Sequence, residues 1–242
     1  MTINCENCPL RPLELFDDIS KEEEQFMLRF KTGELNAQPG TQILTEGRAS
    51  AHLYTALKGM GLRYKTLEDG RRQVVGFILP GDFIGLQSGV MEEMQHSVEA
   101  STYMTLCVFN RSSLWDLFKT QPRRAFDLTH ASAIEESLLG EMLSAVGQLD
   151  GMAKVSWVLN RFYKRLTALD LNHNDRVTLP YRQQDLADAM GLSLVHTNKT
   201  LAKLRQDSIA SWADGVLDVH NPDQLAQRAH SVGERLLKRP LI

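Results

Sequence analysis

The three cysteines of this 242-residue chain have side chains that could bind a metal or undergo redox chemistry. Cys5 and Cys8 lie near the beginning, and Cys107 lies in the β-rich run from Thr105 to Phe109. An odd number of cysteines in a chain of this size does not make a disulfide framework, which indicates a reducing compartment. Such thiols serve as metal ligands, as redox groups or as small buried side chains. The sequence leaves these uses open.

A second segment, near the C-terminus, suggests contact with a polyanion. Residues 180–190 predict a short helix, Gly191 to Ser193 a tight turn, and residues 194–206 a second helix that the Ser193 hydroxyl can cap. A helical projection gathers four residues on an inner side, Leu194, Thr197, Leu201 and Leu204. The other side is polar, basic and small: Val195, His196, Lys199, Ala202 and Lys203. Such a face is typical of a helix that lies in the major groove of DNA, although many enzymes also contain helix pairs with a glycine turn.

The residues that follow predict a strand, a turn and a strand. Ile209 to Trp212 and Val216 to Val219 are the strands, and Ala213-Asp214-Gly215 is the turn. A helix pair followed by such a hairpin is more specific than the helix pair alone. Together they predict a winged helix-turn-helix.

Charge is distributed unevenly along the chain. Residues 1–150 carry 14 basic and 21 acidic side chains, a net charge of −7, whereas residues 151–242 carry 13 and 9, a net charge of +4. This division indicates two modules, of which only the second suits a nucleic acid. The chain has no run of about 18 apolar residues and does not begin like a secretory signal. We therefore expect a cytoplasmic protein with no membrane partner.

Two further elements must position these residues. Glycines interrupt residues 40–109 at short intervals, with β-rich runs between them, which predicts a small antiparallel barrel or roll without helices. From Pro122 to Met152 there are few helix breakers, which predicts one long helix. Its heptad positions a and d form an apolar seam that includes Leu128, Ala131, Leu138, Met142, Ala145, Leu149 and Met152. A second stripe, with Leu139 and Leu143, lies off this seam. We expect one face to pack on the roll and the other on a second copy of the helix; burial within one chain is the alternative.

Three features together resemble the Crp/Fnr family of bacterial transcription regulators. They are the order of the modules, the run Gly81-Asp82-Phe83-Ile84-Gly85, and the run Tyr181-Arg182-Gln183-Gln184-Asp185-Leu186-Ala187. The resemblance covers nearly the whole chain. It implies an α+β protein with an N-terminal cyclic-nucleotide-binding-type β-roll, a long dimerisation helix and a C-terminal winged helix-turn-helix. The corresponding boundaries are 1–20 for a cysteine-containing segment, 21–121 for the roll, 122–150 for the dimerisation helix and 151–242 for the DNA-binding domain.

The resemblance also implies roles for particular residues. The start of the second helix contacts base edges in the family, which here places Val195, His196, Asn198 and Lys199 at the DNA, beside Ser193 and Lys203. Arg182 and Gln183 match positions that contact phosphate. This chain has Val195 and Lys199 where the family commonly has a glutamate and an arginine, so its operator is expected to differ. The implied partners are a two-fold symmetric duplex, a second copy of the chain and RNA polymerase.

The same family suggests what the roll does and does not sense. Its cyclic-nucleotide-binding members use a glutamate and an arginine just after the Gly-Asp-Phe turn, whereas residues 86–97 here contain no arginine. Because a buried phosphate would lack its bidentate partner, we expect weak or no cAMP binding. The oxygen-sensing Fnr branch binds an iron–sulfur cluster through cysteines placed similarly to Cys5, Cys8 and Cys107. A four-thiolate cluster needs one more ligand, which would come from Glu14, Asp17 or outside the protein. A cluster or other metal, a thiol redox switch and no sensory role stay open.

Two other functions compete with DNA binding. A metal-dependent enzyme on a β-roll needs several histidines or carboxylates that converge inside the roll. His52 and His96 stand alone in this sequence, so we do not expect an enzyme. A ligand-sensing roll that acts on a protein partner without touching DNA is the second alternative.

Overall fold

The computed structural model describes residues 3–234 and 236–242, so the first two residues of the predicted segment 1–20 lie outside it. The chain divides into two units. Unit 1 comprises Met1–Gly70, Val75–Glu136 and Lys238–Ile242, and unit 2 comprises Arg71–Val74 and Ser137–Leu237. Helices and antiparallel sheets both contribute, which confirms the predicted α+β class. Among the described residues, no helix has the length and apolar character needed to cross a bilayer.

Unit 1 is a β-roll flanked by helices. Its strands are β1 (Lys31–Ala37), β2 (Gln42–Leu44), β3 (His52–Lys58), β4 (Gly61–Thr66), β5 (Arg72–Ile78, which belongs to unit 1 from Val75 onward), β6 (Phe83–Ile84), β7 (Ser97–Ala100) and β8 (Met104–Asn110). Its helices are α1 (Lys21–Phe30), α2 (Leu86–Met91), α3 (Leu114–Thr120) and the first part of α4 (Pro122–Gln148). Helix α2 interrupts the region that the sequence predicted to be strands and turns alone.

The strands of the roll form two four-stranded sheets, in the orders β1-β8-β3-β6 and β2-β7-β4-β5. Alternate residues of both sheets point inward and share one apolar core. Tyr54, Ala56 and Leu106 enter it from the first sheet, and Ile78 and Val98 enter it from the second. Gly81 begins the turn before β6 at a φ of 88°, and a Cβ there would stand 2.2 Å from the ring of Phe16, so only glycine fits this turn.

The predicted long helix ends four residues early. Helix α4 stops at Gln148, and α5 (Gly151–Ala168) begins after a short break. The Asp150 carboxylate accepts a hydrogen bond from the Ala153 N–H at 2.8 Å and so caps the start of α5. The long helix is therefore interrupted because Asp150 caps the start of a new helix. The apolar periodicity of the sequence does not reveal this cap.

Three residues of the predicted seam of α4 are buried within the single chain. Leu128 is 1% exposed and packs with Met27, Leu53 and Phe109 in a second core cluster of unit 1. Ala131 is buried in unit 1 as well, and Ala145 is buried in unit 2. Leu138 and Met142 in the helix, and Leu149 just after its end, are half-buried. Dimerisation through these half-buried residues of the seam stays a prediction.

Unit 2 is a winged helix-turn-helix. Its elements after α5 are β9 (Asn172–His173), β10 (Arg176–Thr178), α6 (Gln183–Met190), α7 (Leu194–Gln206), β11 (Ala210–Ala213), β12 (Val216–Val219) and α8 (Pro222–Arg228). The strands form one sheet in the order β11-β12-β10-β9. The predicted hairpin is thus half of a larger sheet. Asn174 and Asp175 both have positive φ and form a tight turn between β9 and β10.

The end of the chain belongs to the other unit. The sequence order assigned residues 151–242 to one domain, whereas Lys238–Ile242 lies in unit 1. Residues 239–242 are all buried there. The position of these last residues in unit 1 depends on contacts between residues far apart in the sequence, which no local pattern predicts.

Candidate DNA-binding site

The turn between α6 and α7 sets the direction of α7. Gly191 ends α6 in the left-handed conformation, with a φ of 63°, and both its N–H and the N–H of Leu192 donate to the Ala187 carbonyl. The Ser193 hydroxyl then accepts from the His196 N–H at 3.2 Å and caps α7. A left-handed residue followed directly by a cap produces the sharp turn of a helix-turn-helix.

Helix α7 has one buried and one exposed side. Thr197, Thr200, Leu201 and Leu204 are buried within unit 2. The exposed side chains are those of Val195, His196, Asn198, Lys199, Ala202 and Lys203. Leu194 was predicted to lie on the inner side but is 39% exposed, because as the first residue of the helix it lies beyond the packed turns. The exposed apolar side chain of Val195, at 65%, is available to a ligand.

Positive charge dominates the exposed side of α7. The helix contains Lys199, Lys203 and Arg205 and no acidic residue. The Lys203 ammonium lies 2.8 Å from a carboxylate oxygen of Asp207, while Lys199 makes no ion pair within the described residues. Lys199 therefore presents a full charge to whatever approaches this helix.

Arg182 and Gln183 lie at the beginning of α6. Arg182 is the N-cap residue, and its guanidinium contacts a carboxylate oxygen of Asp185 at 2.6 Å while the side chain stays largely exposed. Its main-chain N–H donates to the other Asp185 oxygen at 2.9 Å. Asp185 thus holds the arginine in a fixed orientation at the helix start. Gln183 is half-buried at the first helical position.

His196 has a second contact that the sequence did not predict. Its ring lies against Gly151, the first residue of α5, and both residues belong to unit 2. The residue is nevertheless exposed on its other side. The glycine at the start of α5 thereby makes room for the imidazole.

The wing is a tight hairpin anchored to the rest of unit 2. Asp214 and Gly215 turn the chain between β11 and β12 with φ values of 51° and 72°. The indole N–H of Trp212 donates to the Leu179 carbonyl at 3.0 Å and joins the wing to the segment before α6. The predicted strand, turn and strand are therefore confirmed.

Two family models match this architecture. A cyclic nucleotide-binding domain matches residues 34–121, and a Crp-like helix-turn-helix domain matches residues 155–228. The two matches fall on the roll and on the winged unit. The chain belongs to the Crp/Fnr family of transcription regulators.

Individual relatives agree with this assignment. The transcriptional activatory protein AadR of Rhodopseudomonas palustris is 29% identical over 226 residues, which cover 92% of this chain and 93% of AadR. The nitrogen fixation regulation protein FixK of Bradyrhizobium diazoefficiens is 29% identical over 76% of both chains. The solved structure of FixK2 from Bradyrhizobium japonicum superimposes with a TM-score of 0.73 at 26% identity, covering 80% of this chain and 95% of that one. These relatives are regulators of transcription, not enzymes.

The second stripe of α4 leaves apolar surface exposed. Leu143 is 73% exposed, and Phe126 and Leu139 are exposed as well. Ala133, Gly140 and Gly147 lie on the same outer side, and a Cβ on either glycine would meet nothing within 4 Å. We call this surface the outer face of α4. It is apolar with small residues, a composition that permits close approach of a second helix.

Lys31 lies near two of the three cysteines, Cys5 and Cys107. The Lys31 ammonium donates to the Glu34 carboxylate at 2.7 Å and to the Ile3 carbonyl at 2.6 Å, and it also hydrogen-bonds the Cys107 thiol. Burial raises the pKa of Cys107 to about 11 and also raises the pKa of Cys5, against the opposing effect of Lys31. Both thiols are therefore protonated at neutral pH.

These residues do not fit an iron–sulfur cluster. A four-thiolate cluster needs one ligand more than the three cysteines present. Two of the thiols have raised pKa values, and the ammonium of Lys31 beside them would repel iron. Among residues 3–234 and 236–242, no group of three histidine, cysteine or acidic side chains could hold a metal ion. A metal site at Cys5, Cys8 and Cys107, which the sequence left open beside a redox switch and no sensory role, stays a prediction. Lys31 is the residue that the sequence analysis missed, because its position among the thiols arises only from the pairing of β1 with β8.

The interior of the roll contains an ion pair that the sequence analysis also missed. Arg63 on β4 is buried, pairs with the Glu135 carboxylate on α4 and donates to the Phe83 carbonyl at 3.1 Å. An arginine within the otherwise apolar run of β4 was the available signal, since a buried guanidinium needs a partner. His96 lies nearby, and burial and the Arg63 charge lower its pKa to about 4. An anion that entered the roll would therefore encounter a neutral imidazole and an arginine that is already paired.

Proposed function

We propose that this Crp/Fnr protein is a homodimeric, sequence-specific regulator that binds a two-fold symmetric operator through α7. The observation that carries the proposal is the exposed side of α7, which has no acidic residue and follows a left-handed turn and a serine cap. This is the arrangement that places a recognition helix in the major groove.

Each exposed residue of α7 has a role in this proposal. His196, Asn198 and Lys199 donate to base acceptors, and Val195 makes an apolar contact with a thymine methyl group. Ser193 and Lys203 contact the sugar-phosphate backbone at the two sides of the groove. Arg182, oriented by Asp185, and Gln183 contact phosphate at the start of α6.

Dimerisation is proposed through the outer face of α4. Leu128, Ala131 and Ala145 of the predicted seam are buried within the chain, whereas the outer face exposes Phe126, Leu143 and small residues between them. Two copies joined along this face would present two recognition helices, which must lie about 34 Å apart to occupy successive major grooves. A change at this face would therefore alter DNA binding without touching α7.

The controlling signal is proposed to be something other than cAMP. Inside the roll, His96 is neutral and the Arg63 guanidinium is already paired with Glu135, so neither side chain favours a cyclic phosphate. RNA polymerase is the further partner that family membership suggests, and the cytoplasm is the compartment in which such a complex forms.

The decisive experiment is selection of bound duplexes from a random DNA pool by the intact chain. We expect enrichment of a two-fold symmetric sequence whose half-sites are about one helical turn apart. Affinity for that sequence should fall steeply as salt rises, because phosphate contacts release counterions. Failure to enrich any sequence, with no salt-dependent binding to generic duplex, would refute the proposal.

A further inference from the structure

Residues 239–242, here called the docked segment, lie in unit 1, whereas the residues up to Leu237 belong to unit 2. All four are buried, whereas Leu236, Leu237 and Lys238 just before them are exposed. The chain therefore reaches the docked segment through an exposed connection. The segment is held by its own contacts with unit 1 rather than by packing of the residues that lead into it.

Main-chain hydrogen bonds fix the register of the docked segment. The Arg239 N–H donates to the Leu15 carbonyl, and the Asp17 N–H donates to the Arg239 carbonyl, each at 3.0 Å. Arg239 and Phe16 form a parallel β-bridge between these two bonds. Pairing of this kind is how an extended peptide is recognised by an existing strand.

A buried ion pair recognises the arginine. The Arg239 guanidinium lies 3.0 Å from a carboxylate oxygen of Asp82, and the two side chains are 7% and 1% exposed. The other Asp82 oxygen accepts from the Leu79 N–H at 2.9 Å, which orients the carboxylate. Because a buried carboxylate without its partner is costly, this position selects a positively charged side chain.

The apolar end of the segment enters the core of unit 1. Ile242 packs in the cluster that contains Leu53 and Leu128, and its main-chain oxygen accepts from the Thr55 hydroxyl at 2.6 Å. The Leu241 carbonyl accepts from the Arg124 guanidinium at 3.2 Å. Hydrophobic burial and two directed hydrogen bonds thus hold the residues that follow Arg239.

Arg124 gives an independent indication of a ligand site. It is fully buried at the beginning of α4, and Asp127 lies 2.8 Å from one of its terminal nitrogens. The Nε and the other terminal nitrogen have no hydrogen-bond partner within the described residues. A buried guanidinium carries five N–H donors and needs acceptors, which the carbonyl groups of an extended main chain can supply.

We propose that unit 1 carries a peptide-binding site whose ligand is an extended Arg-Pro-Leu-Ile sequence, and that the chain's own docked segment fills it reversibly. Asp82 selects the arginine, the strand edge at residues 15–17 selects an extended main chain, and Thr55 with Arg124 binds the carbonyls of the aliphatic pair. The exposed connection keeps the segment close by at a high effective concentration.

The test measures the fluorescence anisotropy of a labelled peptide of residues 236–242 as full-length protein is added. The Arg239→Ala chain, whose own segment is weakened, should bind the peptide saturably. The unaltered chain and the Lys238→Ala chain, which loses an exposed charge next to the site, should bind at least tenfold more weakly because their site is filled. A peptide with alanine in place of its arginine should also bind at least tenfold more weakly. An Arg239→Ala chain that is folded and does not bind the peptide would overturn the proposal.

Hydrogen exchange of the unaltered chain tests reversibility without any substitution. The Arg239 and Asp17 N–H groups should exchange at least tenfold faster than the Ala56 N–H, which bonds to the Asp82 carbonyl inside the roll. Equal rates would show a fixed structural element and overturn the proposal. Exchange that slows as protein concentration rises would mean that a second copy supplies the segment, which would overturn the assignment to the same chain.

Discussion

The imidazole of His196 lies directly over Gly151, where an added Cβ would stand 2.0 Å from Nε2. Such a distance is impossible for two unbonded heavy atoms, so any side chain at position 151 must displace the ring. The glycine at the start of α5 is therefore coupled to the orientation of a proposed base-contacting residue of α7. This contact allows the role of His196 to be tested from a residue that does not itself reach DNA.

Gly151→Ala is expected to weaken binding to the selected operator about tenfold, which corresponds to about 1.4 kcal/mol. Alanine favours a helix over glycine by roughly 1 kcal/mol. The substitution should therefore change the free energy of unfolding by no more than about that amount. The measurement is operator affinity at fixed salt for a double-mutant cycle with His196→Ala.

In the His196→Ala background the same glycine substitution should have no further effect. Gly33→Ala, at a position where a Cβ meets nothing within 4 Å, is the matched control and should leave affinity unchanged. Additive losses in the cycle would show that Gly151 does not act through the imidazole.

Lys199→Ala is expected to relax discrimination at one base position of each half-site, at a cost of about 1–3 kcal/mol against the preferred base. The reason is that its unpaired ammonium is free to donate to base acceptors. The measurement compares affinities for single-substituted operators at constant salt. Lys119→Ala, which removes the same charge from α3 in unit 1, is the control. Intact discrimination in the Lys199 variant would contradict its assigned role.

Leu143→Glu is expected to produce monomers that lose operator binding, because it places a charge in the proposed dimer contact on the outer face of α4. Sedimentation equilibrium and operator titration measure the two effects. Leu237→Glu is a matched control, since Leu237 is 74% exposed and Leu143 is 73% exposed. The control should remain dimeric, and a dimeric Leu143→Glu protein with undiminished affinity would exclude this face as the interface.

The buried His96 predicts a loss of stability in mild acid. Its pKa is lowered by burial, and by Arg63, from 6.5 to about 4, so the unfolded chain takes up the proton more readily than the folded one. The stabilisation is complete above pH 6.5 and is lost as the pH falls towards about 4, and this histidine should contribute about 2 kcal/mol of loss between pH 7 and pH 5. Urea unfolding at both pH values, compared with His96→Gln, measures the contribution. An identical pH dependence in the two proteins would contradict the prediction.

Local patterns in the sequence predicted the helix-turn-helix and the wing. Gly191, Ser193 and the Asp214–Gly215 turn act on residues within four positions of themselves, so their effects depend little on the remainder of the fold. The Gly81 turn and the punctuated strands predicted the roll for the same reason. Periodicity placed Val195, His196, Lys199 and Lys203 on the outer side of α7, whereas Asn198, Arg182 and Gln183 were named only because of the resemblance to the family.

The tertiary structure decided which face of α4 is more exposed. Both faces are apolar, and periodicity cannot show which of them packs against the rest of the chain. It also decided the partners of charged residues far apart in the sequence, such as Arg63 with Glu135 and Asp82 with Arg239. The same holds for the position of Lys31 among the cysteines. These pairings depend on strand register and on the path of the whole chain. Because a buried charge without a partner is costly, each buried charged residue is stable only beside the oppositely charged residue that the fold places next to it.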